Sequence, residues 1–127
     1  MTPAAKILEM IEKVAEIKAE AEAEGEPRIL SEFLDEIDEA VAKYEAPNDW
    51  MFWPSMPQYT RSRDALKAIR PEGWLKNSFQ YVLGGFVSVL YNPDDTEAET
   101  RQRRLPTEEL AELHAIIQAT EHMRGEG

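Results

Sequence analysis

His114 and His122 are the only imidazoles in the chain. Eight positions apart, they lie about two turns from each other on one helix face. Zinc sites draw three or four close ligands, commonly with histidines at i and i+4. This spacing does not supply them, so no metal is expected and both rings read as surface groups. Cysteine is absent, which removes disulfides, thiolate ligands and cysteine nucleophiles. Ser62, Ser78 and Ser88 lack the sequence context of a nucleophile elbow, and cap or strand positions account for them. Asp35 and Asp38 share one helix side, as an acid/base pair would and as a solvated face also would. Gly84-Gly85 has no following lysine, so it reads as a turn and not as a phosphate cradle. The expectation is a non-enzymatic protein without cofactor.

Binding chemistry is better represented. Arg63, Lys67 and Arg70 step along one side of a short helix behind Arg61, and Arg101, Arg103 and Arg104 cluster further on. Brought together, such groups hold a small anionic ligand; left apart, they neutralise neighbours such as Asp64. The segment NDWMFWPSMPQYT, residues 48 to 60, is dense in large apolar side chains and broken by two prolines. Its aromatics either staple the core or present anchors to a partner. An extended chain would send Trp50 and Phe52 one way and Met51 and Trp53 the other, burying one pair and offering the second. The candidate binding set is Trp50, Trp53, Tyr59, Arg61, Arg63, Lys67 and Arg70.

Charge narrows the partners. The 127 residues carry a formal net charge of -11, of which residues 1 to 46 contribute -8 and residues 47 to 127 contribute -3. Long-range repulsion disfavours direct nucleic-acid binding and an anionic membrane surface. An ordered acidic face of Glu9, Glu12, Glu16, Asp35, Glu36 and Glu39 leaves an acidic DNA mimic open as an alternative. The opening residues lack the basic, apolar, small-residue order of a signal peptide, and no apolar run is long enough to span a bilayer. A cytoplasmic protein is expected.

Thr2 caps a helix with Pro3 in its first turn, and Ile7, Met10, Val14, Ile17 and Ala21 form its stripe until Gly25 and Pro27 stop it. The alanine- and glutamate-rich end of this helix reads as frayed. Ser31 is the expected cap of a second helix running to Pro47, with Leu34, Ile37, Val41 and Tyr44 inward. These helices make a hairpin, and their heptad-like seams leave a homo-oligomeric structural or assembly protein open as another class. A short helix from Ser62 to about Arg70 follows. SFQYVLGGFVSVLY then reads as a hairpin with a two-residue Gly84-Gly85 turn, Leu83 opposite Phe86 and Phe79 opposite Leu90. An edge strand is expected within residues 100 to 104, and Thr107 caps a final helix. The fold class is α+β: an acidic helical hairpin over residues 1 to 46, then an α-β-β-α unit with a small antiparallel sheet over residues 47 to 127, packed as one unit.

The run YTRSRDALKAIRPEGW, a hairpin, and LPTEELAELHAIIQA together resemble the phage ABA-sandwich domain family over about residues 48 to 124. Tyr59, Ser62, Asp64, Ala65 and Trp74 carry the first part of the likeness, Pro106 and Thr107 the last. The resemblance implies a phage or prophage origin and no assigned catalytic residue. The expected function is an accessory protein that acts by binding, inhibiting a host or anti-phage defence component or sequestering a small anionic ligand.

Overall fold

The structure, a computed structural model, describes residues 2–126, excepting the side chains of residues 96, 97, 125 and 126. Among the described residues there are five α-helices and one three-stranded antiparallel sheet, an α+β fold. Thr2 caps α1 (Pro3–Glu12) through its hydroxyl, which accepts the Ala5 N–H at 3.1 Å. The first helix is interrupted at Lys13, and α2 (Val14–Glu24) runs on to Gly25, whose φ of 66° permits the left-handed cap. The bonds Glu26 N–H to Ala21 O and Gly25 N–H to Glu22 O form a Schellman motif. The alanine-rich end is thus helical to its last residue, held by this cap and by packing of α2 on α3 (Pro27–Glu45).

The cap expected at Ser31 is a turn too late. Pro27 already sits in the first turn, where its missing N–H costs nothing, and Ser31 Oγ donates back to the Arg28 carbonyl from inside the helix. Ser62 does cap α4 (Arg63–Ile69), and Thr107 caps α5 (Glu108–Glu121).

Helix α5 is the centre of the molecule. Its residues from Leu110 to Ile117 are all buried, with β2 against one side and α1 and α4 against others. A helix enclosed this way has no polar face. Ile7, Ile11, Ile37, Val41, Leu66, Leu90 and Ile116 belong to one continuous core that joins the helical hairpin to the sheet unit.

The sheet order is β1 (Leu75–Gln80), β2 (Phe86–Asn92), β3 (Asp95–Glu99). The third strand lies in the acidic half of the loop, not in residues 100 to 104; those run on to an isolated bridge between Leu105 and Phe86. The hairpin register also departs from the expected one. Gln80, not Leu83, stands opposite Phe86, and Phe79 pairs with Val87. A shift of three residues reverses the faces of β1. Lys76 and Ser78 turn toward α5 beside Leu90 and Ser88, while Leu75, Asn77 and Phe79 turn outward.

Candidate interaction surface

The register leaves residues 81 to 85 as a five-residue loop. Gly84 N–H bonds Tyr81 O and Tyr81 N–H bonds Gly85 O, each at 3.0 Å, and both glycines take positive φ. Arg104 braces this loop from outside. Its Nε donates to Gly84 O at 2.8 Å, and its guanidinium lies 4.8 Å from the Tyr81 ring centre. A Cβ at Gly85 would come within 2.8 Å of the Arg104 side chain, so the glycine is needed for close approach as well as for backbone angle. The braced tip projects Val82 and Leu83, 101% and 90% exposed, and the outer face of β1 adds half-exposed Leu75 and Phe79. Monomers rarely present such contiguous apolar groups without use.

The aromatic connector divides differently from the extended reading. Residues Trp50–Phe52 form a 3-10 turn, so Trp50 and Trp53, three apart, both pack against the core. Met51 and Phe52 point out, Phe52 at 79% exposure. Lys43 lies 5.1 Å from the Trp50 ring centre, and Tyr59 is buried.

The basic candidates do not converge. Arg61 bonds Asp35 and Asp38, each at 2.6 Å; Arg63 bonds Glu108 and Glu109; Arg70 bonds Glu112. Lys67 is exposed and makes no ion pair among the described residues. The acidic candidates are similarly spent. Glu9 pairs with Lys13, Glu39 with Lys43, Asp35 with Arg61, and Glu12 with His114 and Arg103, leaving Glu16 and Glu36 without such partners among the described residues. An open groove of about 800 Å³ lies between α1 and α3, floored by Ile7, Met10 and Ala40.

Three polar side chains are buried where the sequence reading did not expect it: Glu112, which it did not single out, and Asp38 and His114, whose burial it did not foresee. Glu112, on the enclosed helix, accepts from Lys76 and Arg70. Burial alone would raise its pKa; the two cations overcome that and hold it below the ordinary glutamate value. Asp38 accepts the Thr60 N–H at 2.9 Å. His114 is buried, contrary to the expected surface position, because α5 has no surface along this stretch; His122 remains exposed, edge-on to Trp74. An available signal was the run LAELHAII, where apolar residues on every side force any acid or imidazole between them to find a partner.

Gln118 fixes the His114 tautomer. Its Oε1 accepts the Arg101 N–H at 2.9 Å, so its Nε2 faces His114 Nδ1 as a donor, also at 2.9 Å. The ring proton is then on Nε2, donated to Glu12 Oε2 at 2.9 Å. Burial lowers the His114 pKa, partly opposed by Glu12. A depressed histidine contributes stability above its unfolded pKa of about 6.5 and loses it as pH falls toward the folded value. The wild type should therefore lose stability relative to His114→Gln below about pH 6.5, by up to ~1.4 kcal/mol per pH unit, read from the difference between their melting curves.

Among the described residues no group of three histidine or acidic side chains could hold a metal, and no helix is long and apolar enough to cross a membrane. No protein-family model matches the chain, and the comparisons with curated proteins and with solved structures likewise return no match.

Proposed function

We propose that this chain is a non-enzymatic binding protein, a phage or prophage accessory factor that works in the host cytoplasm by docking on a host or defence protein and blocking it. The braced hairpin tip carries the reading. Arg104 fixes the loop before any partner arrives, so little ordering entropy remains to be lost when Val82 and Leu83 enter a pocket. Two aliphatic anchors then contribute through the apolar area they remove from water, at ~25 cal/mol per Å². A protein partner is better supported than a small anion, since Arg61, Arg63 and Arg70 already hold carboxylates. It is better supported than DNA mimicry, since four of the six acids in the proposed array have partners within the chain.

The test is purification of tagged wild type and of a Val82→Ser/Leu83→Ser variant from the same host. Losing two apolar anchors worth ~1.5–3 kcal/mol each weakens a tip-mediated complex more than about 100-fold, so a stoichiometric partner should vanish with the variant while the circular dichroism spectrum stays unchanged. A partner held equally by both proteins would remove the tip from the interface. A retained small molecule, seen by native mass spectrometry, would favour the ligand-sequestering function instead.

A further inference from the structure

β1 is an edge strand, and its geometry fits a second copy of itself. Tyr81 N–H faces Gly85 O, so by the two-residue period the main-chain groups of residues 75, 77 and 79 face β2. Those of Lys76, Ser78 and Gln80 therefore point away from the sheet along the free edge. Edge strands are ordinarily guarded by free charges pointing either way, prolines or bulges, and a guard charge loses its effect once a partner neutralises it. β1 has no proline and one charge, Lys76, which is already neutralised by Glu112 at 2.9 Å. Charge also selects the place. Two copies at -11 repel, yet residues 73 to 93 contain no acid at all. This is the longest acid-free stretch of the chain, and copies that meet along it do so without acids of that stretch facing one another.

We infer that the protein forms a two-fold dimer in which β1 pairs antiparallel with its counterpart, making one six-stranded sheet. Outward groups must meet outward groups, so only registers with an even residue sum are allowed. The one centred on Asn77 sets Leu75 opposite Phe79 of the second copy, and Phe79 opposite its Leu75. It sets Lys76 opposite Ser78, leaving no like-charged pair directly across the seam. Such an interface is isologous and closes at two chains. The two hairpin tips then sit at opposite ends of the seam, giving a bivalent display of Val82 and Leu83. The dimer stands independently of the partner-binding function, because it uses the strand edge and not the tip.

The absence of cysteine makes the test clean. Asn77 would face its own copy in a non-hydrogen-bonded pair, with Cα atoms about 4.5 Å apart, within disulfide reach. Asn77→Cys should cross-link to a dimer under mild oxidation, whereas Leu83→Cys should not. By light scattering the wild type should have twice the 14.5 kDa chain mass. Phe79→Lys should have the single mass, and Val82→Ser/Leu83→Ser should stay dimeric. A wild type of single mass at high micromolar concentration overturns the inference. So does a dimer that persists in Phe79→Lys with Asn77→Cys uncrosslinked, which puts the contact on another surface. A strand from a different protein on this edge would give the single mass alone, and protection of β1 amides only in that partner's presence.

Discussion

Replacing Glu112 with alanine should cost about 3–5 kcal/mol of unfolding free energy, the range for removing one member of a buried ion pair. The lower part of that range is expected, because Arg70 and Lys76 are each about one-quarter exposed and can reach water once released. Glu112→Gln keeps one acceptor for two cations and turns an amide donor toward the other, so it should fall between alanine and wild type. Urea titrations followed by circular dichroism give these differences directly. The pH dependence has a definite sign. A carboxylate held below its unfolded value stabilises above about pH 4.5, and that contribution disappears as pH falls through the folded value. Glu112→Gln should therefore flatten the acid limb of the stability curve, starting below about pH 4.5, whereas the His114 contribution already begins to fall below about pH 6.5. A cost under about 1 kcal/mol for Glu112→Ala would mean that the carboxylate and its cations are not coupled as described.

The same carboxylate helps explain why the hairpin register was illegible locally. Two adjacent glycines between apolar runs are a sound two-residue turn signal, and it sets Phe79 toward the helices. The folded chain instead needs Lys76 beneath α5, because Glu112 is buried there and requires cations. The Ser78–Ser88 hydroxyl bond, at 2.7 Å, fits only this pairing. Turning Lys76 inward turns Leu75 and Phe79 outward, so the exposed apolar face of β1 is a consequence of a charge on a distant helix. No window of the local sequence contains both facts.

What local physics controls was legible. The caps at Thr2, Ser62 and Thr107, the stop at Gly25 and the α+β class each follow from residues within a few positions of the feature. Ser31 failed as a cap because Pro27, four residues earlier, was an equally good start. Trp50 and Trp53 face the same way because a 3-10 turn replaced the extended chain that would have separated them. The binding candidates lost most of their free charge for a shared reason. In a chain this acidic, each arginine near the core finds a carboxylate, and of the basic candidates only Lys67 keeps a free charge among the described residues.

Asp38 should show how the helical hairpin holds the connector. It is 1% exposed on α3, and its two oxygens take the Thr60 N–H and the Arg61 guanidinium, anchoring the chain immediately before α4. Burial pushes its pKa up, and the bonds from Arg61 and Thr60 pull it only partly back. Asp38→Ala leaves a buried N–H unsatisfied and Arg61 with exposed Asp35 alone, for an expected loss of about 3 kcal/mol. Asp38→Asn keeps the acceptor for Thr60 and removes the cost of burying a charge, so its loss should be about 1 kcal/mol or less. Because the folded pKa is raised, the contribution of Asp38 is fully present below its unfolded value of 3.8 and is lost as pH rises through the folded value. The wild type should therefore lose ground to Asp38→Asn on going from acid toward neutral pH. Equal losses in the two variants would show that the charge on Asp38, and not its bond to Thr60, holds the connector to α3.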